Sequence, residues 1–238
     1  METEISSGQA GLHSLAKAYW FWKAFDEIEL RRIRDSGGKL DNAAVSRIGR
    51  WYSVARTLPG KKKARAAEVV NKLPKNLQGK SLVERAERCV QAAEQINKDH
   101  QPRSAVSKLL WFLAPTGWTM YDQYAARGAG VTQTSAGSKD FVKFYERLQA
   151  SGFESAVNDI RKTLVAEGFE SFPAERVIDW ELMRRCEKPR SPEFMPAELA
   201  AWTPAYLETL HRDTAAALKR AACGIEKNLN NFRPESVT

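Results

Sequence analysis

The chain has 238 residues, 43% hydrophobic and 28% charged, so it is long enough to bury an apolar core and ordinary in composition for a soluble globular protein. Its 37 Lys and Arg residues outnumber its 29 Asp and Glu residues, and the net charge of +8 favours a polyanionic partner, chiefly DNA or RNA. No apolar run approaches the roughly 18 residues of a membrane span, and the N-terminus is polar and acidic, which excludes a membrane protein or signal peptide and predicts a cytoplasmic location.

The hydrophobic periodicity is helical nearly throughout, and no segment shows a convincing alternating strand pattern. The sequence therefore predicts an all-α fold, a compact multi-helix domain that spans residues 1–238. In chain order, the predicted helices cover 11–35, 41–58, a short segment opened by Lys61–Lys63, 81–98, 103–113, 120–127, a segment that starts at Ser138, 153–167, 173–187, 196–210 and 212–229.

Local signals mark several of these helix ends. Ser36-Gly37-Gly38 ends the long, aromatic-rich first helix, and Asp41 is a capping residue for the second. The sequence S-L-V-E from Ser81 to Glu84 is a capping box, in which two side chains satisfy free backbone N–H groups at a helix start. Three prolines between residues 189 and 196 predict a linker between two of the later helices.

The stretch GAGVTQTSAGS at 128–138 is small, polar and rich in glycine, which predicts a loop. A loop at this place could divide the domain into two helical lobes, 1–128 and 138–232, with a frayed tail at 233–238. The single domain and the two-lobe arrangement both fit the pattern.

The residue types that usually hold metals or cofactors are sparse and scattered. Cys89, Cys186 and Cys223 are far apart and in no C-x-x-C spacing, which predicts free thiols in a reducing cytosol rather than disulfides or a zinc site. The histidines form no H-E-x-x-H motif, and there is no Walker A loop, dinucleotide-binding glycine motif or G-x-S-x-G elbow. We therefore expect no metal and no small-molecule cofactor.

Basic residues cluster in the segment KKKARAAEVVNKLPKNLQGK, residues 61–80, where the only acidic residue is Glu68. Its first lysines open a helix, and the free backbone N–H groups and positive dipole end of a helix start favour phosphate. Such contacts supply affinity without reading base sequence. The DNA-phosphate-binding residues predicted here are Lys61, Lys62, Lys63 and Arg65. The alternative is a solvated, charged helix face with no ligand.

The segment 104–125, SAVSKLLWFLAPTGWTMYDQYA, contains the residues most suited to chemistry. One stripe of its first helix is aliphatic, and Lys108 lies opposite that stripe with Trp111 and Phe112 on its own face. The helix should therefore be buried, with one ammonium group among aromatic rings. Desolvation lowers the pKa of a lysine, which lets it act as a nucleophile near neutral pH. Alternatively, Lys108 reaches solvent or pairs with a carboxylate.

Asp122 follows Lys108 by fourteen residues, beyond the turn at Pro115. Two helices joined by so short a turn can bring both side chains to one site. Thr119 and Asp122 also form a capping box, T-M-Y-D, at the start of the second helix. Capping keeps a carboxylate ionised and fixed in place, which is compatible with a catalytic role. Alternatively, capping is the only role of Asp122.

The pattern S-K-x-L-x-F-x-x-P followed by hydrophobic-Tyr-Asp resembles the active-site stretch of bacterial proteins related to the 8-oxoguanine type of helix-hairpin-helix DNA glycosylases. The match covers residues 104–125 and implies a helix-hairpin-helix glycosylase-like fold, with Lys108 as the catalytic lysine and Asp122 as the catalytic aspartate. The hairpin sequence Leu-Pro-Gly-x-Gly of that superfamily does not precede Lys108. The contact it makes with the DNA backbone is therefore expected from the 61–80 segment.

The resemblance implies a DNA N-glycosylase for a damaged or modified base, in base-excision repair or antiviral defence. Such an enzyme flips the nucleotide into a pocket and stacks the base on aromatic rings. The nearest candidates are Trp111, Trp118 and Tyr121, all of which are also suited to a core. Asp122 would stabilise positive charge on the sugar. Lys108 would attack C1′ as a free amine and form a Schiff base, or stay protonated while Asp122 activates water.

The expected partner under this hypothesis is DNA, with Arg103, Arg127 and Lys139 as further phosphate contacts. Two other interpretations remain open. A non-catalytic helical DNA- or RNA-binding protein needs only the basic segment and treats Lys108 and Asp122 as a structural pair. A helical interaction module that binds no nucleic acid would show binding insensitive to salt.

Overall fold

The computed structural model describes residues 7–73, 77, 79–131, 138–186 and 205–234. Within these ranges the chain is helical and contains no strand, which confirms the all-α prediction. The helices are α1 (Ser7–Phe21), a π-helical turn (Trp22–Asp26), α2 (Glu27–Asp35), α3 (Asn42–Trp51), a 3-10 turn (Ala55–Thr57), α4 (Lys62–Lys72), α5 (Leu82–Ile96), α6 (Arg103–Leu113), α7 (Gln123–Gly128), α8 (Ser138–Ala150), α9 (Phe153–Ala166), α10 (Ala174–Arg185), α11 (Ala205–Glu208) and α12 (Arg212–Asn231). In the described ranges, no helix combines the length and the apolar character needed to cross a bilayer.

The first predicted helix is continuous from Ser7 to Asp35, but a π-helical turn lies in its middle. At this turn the backbone N–H of Glu27 bonds to the carbonyl of Trp22, five residues back. A π turn accommodates one extra residue and rotates the following helix face, and such turns occur often at functional sites. Here it leaves the carboxyl group of Asp26 fully buried.

The helix predicted over 41–58 is shorter than expected. Asp41 caps it as predicted, because its Oδ1 accepts a hydrogen bond of 2.6 Å from the backbone N–H of Ala44. The helix ends at Trp51 because Ser53 adopts a left-handed backbone conformation with φ 55°, which an α-helix does not accommodate. Residues 52–58 therefore form a loop with one 3-10 turn.

The helix boundaries around the 104–125 segment are partly as predicted. The capping box of Ser81 and Glu84 is present, and α6 has the predicted bounds. The second helix of the segment, α7, begins at Gln123 and not at Met120. Asp122 caps it alone, accepting a hydrogen bond of 2.9 Å from Tyr124 N, so the predicted T-M-Y-D capping box is wrong.

Some predictions fall outside the described residues. These are the proline-rich linker at 189–196, the first part of the helix at 196–210, residues 132–137 of the Gly-rich loop and the end of the tail. The helix predicted from Ser138 and those at 153–167, 173–187 and 212–229 are confirmed to within two residues at the ends that were predicted.

The helices pack around one apolar core. α1 packs against α10 and α12, α5 against α6 and α8, and α7 against α10. Core residues come from both sides of the 128–138 loop, so helices of the two lobes considered above share a single cluster. α6 lies at the centre, because every residue from Ala105 to Phe112 is buried.

α7 approaches α10 closely at Gly128. A Cβ atom at this position would lie only 1.8 Å from the carbonyl oxygen of Leu182. Only glycine allows the two backbones to come so near. The contact matters for the site, since Asp122 immediately precedes α7 and Asp179 lies on α10.

Replacing Gly128 with alanine should lower the free energy of unfolding by about 3 kcal/mol, because the added Cβ forces α7 away from α10. Urea unfolding followed by circular dichroism measures the change. Gly49→Ala is the matched control, since a Cβ there would lie at an ordinary distance of 3.4 Å from Ala55. Equal stability of the two variants would contradict the role of the close approach.

Candidate active site

A cavity of about 910 Å³ opens between the end of α3, the chain before α7 and the middle of α10. This volume lies in the range of pockets that hold small molecules or a nucleotide unit. Its lining includes the ionisable or phenolic side chains of Tyr52, Lys108, Asp122, Arg176 and Asp179. They come from four separate parts of the chain, so the cavity depends on the tertiary fold.

Lys108 reaches the cavity from the buried helix α6, where the residue is 2% exposed. Its Nζ donates hydrogen bonds to Ser104 Oγ at 2.9 Å and to the backbone carbonyl of Tyr121 at 2.5 Å. Asp122 Oδ2 lies 3.7 Å from the same nitrogen. Burial lowers the pKa of Lys108, although the negative charges of Asp122 and Asp179 partly offset that effect.

Asp122 is the more accessible member of the pair, with 34% of its side chain exposed. Its Oδ1 caps α7 while its Oδ2 faces Lys108. The chain before it is fixed from α6 as well, because Tyr121 N donates to Ser107 Oγ at 3.1 Å. The structure thus brings together the two side chains predicted to be catalytic, and it holds the carboxylate in place from two directions.

A second charged group in the cavity centres on Arg176, which is 3% exposed. Its Nε donates to Asp26 Oδ2 at 3.1 Å, its Nη2 donates to Tyr52 Oη at 3.1 Å, and its Nη1 donates to Asp179 Oδ2. The Tyr52 hydroxyl in turn donates to Asp26 Oδ1. The guanidinium also lies 5.6 Å from the ring centres of both Tyr52 and Trp111. Two carboxyls, one hydroxyl and two aromatic rings therefore compensate this buried cation.

The carboxyls of this network differ from ordinary aspartates in their protonation. Burial raises the pKa of Asp179 to about 7, against the opposing effect of Arg176. Burial likewise raises the pKa of Asp26, with Arg176 and Tyr52 opposing. For Arg176 itself, burial lowers the pKa but the surrounding Tyr52 and carboxyls more than compensate, so the cation is held firmly. At neutral pH, Asp179 is therefore present in both its protonated and its ionised form.

Sequence reasoning missed this network because its members are far apart along the chain. Asp26 and Arg176 are separated by 150 residues, and no local pattern links them. The structure buries nine consecutive residues of α10, from Ala174 to Leu182. Arg176 and Asp179 stand three residues apart in that segment, beside Val177 and Ile178. Four of these nine residues are charged, so the sequence of α10 gives no sign that the helix is buried.

The aromatic lining differs from the one expected. Tyr121 lines the cavity as predicted, whereas Trp111 and Trp118 do not. Trp118 is fully buried, with its ring centroid 5.9 Å from Tyr145 and its Nε1 donating to Ala114 O at 3.0 Å. Trp111 is fully buried beneath Arg176. Both side chains are therefore core residues and not part of the cavity wall.

Other aromatic residues take the place of these two tryptophans. Trp51, Tyr52, Tyr124 and Trp180 line the cavity together with Tyr121. Trp51 is held by Phe25, which stacks on it with ring centroids 4.8 Å apart. The turn that ends α3 thus supplies one aromatic wall, and its position follows from the early end of that helix.

The predicted phosphate-binding residues are spread over several surfaces. Lys61, Lys62 and Lys63 lie at the start of α4 and do not line the cavity. Arg65 is exposed and pairs with Glu68 at 2.9 Å. The side chain of Lys139 lies outside the described residues.

Two of the predicted residues lie beside cavity residues. Arg127 is exposed and its guanidinium lies 5.8 Å from the ring centre of Tyr124. Arg103 precedes Ser104 on α6, is half-buried and donates through Nη2 to Gln101. Two arginines that were not predicted, Arg50 and Arg56, are exposed and line the cavity. They lie on either side of Ser53 in the chain, and the sequence did not predict the loop that Ser53 forms.

No protein-family model, curated protein or solved structure significantly matches the chain. Within the described ranges, no group of His, Cys, Asp or Glu side chains is arranged to hold a metal ion.

Replacing Arg176 with methionine should lower the free energy of unfolding by about 3–5 kcal/mol, because it removes the cation from a buried, paired site. Tyr52→Phe should cost only about 1 kcal/mol, since it removes one hydroxyl. Urea titration at pH 7 measures both. Arg220→Met is the control, because Arg220 is 61% exposed and its pairing with Glu167 should contribute less than about 1 kcal/mol. A cost for Arg176→Met no larger than this control would refute the network's structural role.

Proposed function

We propose that the protein is a DNA N-glycosylase that releases a damaged or modified base, in base-excision repair or in defence against phage DNA. The observation that carries the proposal is the Lys108–Asp122 pair, 3.7 Å apart in an aromatic-lined cavity of about 910 Å³. A glycosylase needs such an arrangement, since the flipped base stacks on aromatic rings while a carboxylate faces the sugar. The basic net charge of +8 supports the same partner.

In this mechanism Asp122 acts at the sugar. The bond between C1′ and the base nitrogen breaks with its electron pair moving to the base, and positive charge develops on the sugar. The carboxylate of Asp122 stabilises that charge. It then accepts a proton from the water that adds to C1′, which leaves an abasic site. Its partial exposure gives it access to both the sugar and the water.

The surroundings of Lys108 favour this hydrolytic route over attack by the amine. Nζ has two oxygen acceptors and a carboxylate around it, which suits the three donors of an ammonium group. In this state Lys108 orients Asp122 and adds positive charge behind it. The Schiff-base route would require Nζ to lose its proton and leave the Tyr121 carbonyl, and the lowered pKa of Lys108 reduces the cost of the first step.

Phosphates of the flipped strand would be held by Arg50 and Arg56, the exposed arginines that line the cavity. The predicted lysines at the start of α4 lie outside the cavity, on a helix that packs against α3. Contacts of this kind position the duplex without reading its bases. They would take the place of the backbone contact that a glycine-rich hairpin makes in the helix-hairpin-helix superfamily.

A second candidate function is non-catalytic binding of DNA or RNA. One observation favours it, namely that Lys108 and Asp122 both have structural partners. Asp122 caps α7, and Lys108 ties α6 to the carbonyl of Tyr121. Under this alternative the pair holds the fold and the arginines at the cavity bind phosphate, with no reaction.

The test of the glycosylase proposal is base release from a panel of duplexes that hold 8-oxoguanine, uracil, hypoxanthine or 5-hydroxymethylcytosine, with abasic sites detected by alkaline strand cleavage. Asp122→Asn should lower the rate about 10²- to 10³-fold, because the amide carries no charge to stabilise the sugar. Lys108→Gln should also slow release. Lys17→Gln is the matched control, since it removes another buried lysine that does not line the cavity.

Borohydride reduction separates the two routes in the same assay. The hydrolytic route predicts no covalent adduct, and an adduct that is lost in Lys108→Gln would assign attack to the amine. Absence of abasic sites and adducts across the panel, with DNA still bound, would favour the non-catalytic alternative.

Removing the charges of Arg50 and Arg56 should weaken binding and make it less sensitive to salt. Each lost phosphate contact reduces the slope of log K against log salt concentration by about 0.9, so the double glutamine variant should lose about 1.8. Fluorescence anisotropy with a labelled duplex between about 50 and 200 mM salt measures the slope. The control is Lys219→Gln with Lys227→Gln, which removes the same charge from exposed positions on α12. Equal slopes for the two double variants would exclude Arg50 and Arg56 as phosphate contacts.

A further inference from the structure

Asp179 has one carboxyl oxygen that the fold leaves unused. Its Oδ2 accepts from Arg176, whereas its Oδ1 is buried with no hydrogen-bond partner among the described residues. The residue is 3% exposed and lines the same cavity as Lys108 and Asp122. A buried polar atom that the protein leaves without a partner is uncommon, and a bound ligand, ion or water usually satisfies it. The carboxyl is therefore suited to exchange a proton with whatever occupies the cavity.

We propose that Asp179 is a second catalytic residue, the acid that donates a proton from Oδ1 to the departing base. This inference rests on the proposed glycosylase function and completes it, because Asp122 acts at the sugar and leaves the base without a proton donor. The assignment of the proton to Oδ1 follows from geometry, since Arg176 occupies Oδ2 as a donor.

The charged groups that act on Asp179 come from its own helix, from α6 and from the chain before α7. Arg176 on its own helix and Lys108 on α6 favour the ionised form, whereas Asp122 before α7 disfavours it. Tyr52 after α3 and Tyr145 on α8 also interact electrostatically with Asp179, and burial raises the pKa of both phenols. Burial outweighs the two cations and raises the pKa of Asp179 to about 7, so that both forms are populated near neutral pH.

The C1′–N bond breaks and its electrons pass to the base, which takes the proton of Asp179 at a ring nitrogen or an exocyclic oxygen. Water adds to C1′ and gives its proton to Asp122. Asp179 ends ionised and Asp122 protonated, and exchange with solvent restores both. The substrate class is therefore a base that presents a lone pair to Asp179, such as a purine ring nitrogen or a carbonyl oxygen, and not only an amino edge.

The first measurement is the titration of Asp179 in the native chain without DNA. Protein labelled with ¹³C-aspartate gives carboxyl resonances, and Asp179→Asn and Asp179→Glu identify the one that belongs to Asp179. We expect a midpoint close to pH 7. A midpoint below about 5, the range of an ordinary aspartate, would overturn the proposal whatever the enzyme does.

The second measurement is the pH profile of base release from the duplex panel. The acid form is lost as pH rises through its pKa, so the native rate should be level from pH 5.5 to 6.5 and fall about tenfold per unit above the midpoint. Asp179→Asn should be slower by about 10²- to 10⁴-fold at pH 6 and should lack this alkaline decline. Asp179→Glu retains a carboxyl and should restore a decline at a displaced pH, which a merely structural role would not produce.

Glu181→Gln is the matched control, because Glu181 is a carboxylate on the same helix, 1% exposed and paired with Arg184 and Arg185 away from the cavity. It should keep the native pH profile even if its melting temperature falls. An unchanged profile in Asp179→Asn, with the native protein active, would overturn the acid role alone. Absence of base release by the native protein would overturn the glycosylase function and the acid role together.

Discussion

The site depends on one constraint, which is that the guanidinium of Arg176 is almost completely buried and must take its polar partners from within the fold. It takes them from three places: Asp26 in the π-helical turn, Tyr52 at the end of α3 and Asp179 on α10. Because an unpaired charge in this position would be costly, these three elements are held in one arrangement. The cavity is the space that remains between them and the chain before α7.

Two aspartates with opposite surroundings face this cavity. Asp122 is partly exposed and fixed at a helix start, whereas Asp179 is buried, and burial raises its pKa. Different surroundings are the general means by which a protein gives identical carboxyl groups different protonation at one pH. Lys108 lies near both charges and lowers the cost of having two acidic groups in one place. The arrangement thus suits chemistry in which one group receives a proton while the other supplies it.

Most of the helices, and the approach of Lys108 to Asp122, could be predicted because they depend on local signals. Capping residues, glycines and a short turn fix these features within about 20 residues of chain. The Arg176 network could not be predicted, since the partners meet only in the tertiary fold. The early end of α3 also escaped prediction, because nothing in the sequence marks Ser53 for a left-handed conformation. Trp111 and Trp118 show a further limit, as periodicity places aromatic residues on a helix face but does not tell a core face from a cavity wall.

The π-helical turn of the first helix has a consequence for how this chain can change over generations. Such a turn is equivalent to one residue inserted into a regular helix. Deleting a single residue between Trp22 and Asp26 would yield a better-formed helix, but it would rotate the Asp26 carboxyl away from Arg176. A regular α-helix and the buried Asp26–Arg176 pair therefore exclude each other at this position. Relatives that have lost the inserted residue should also have replaced Arg176 by an uncharged side chain.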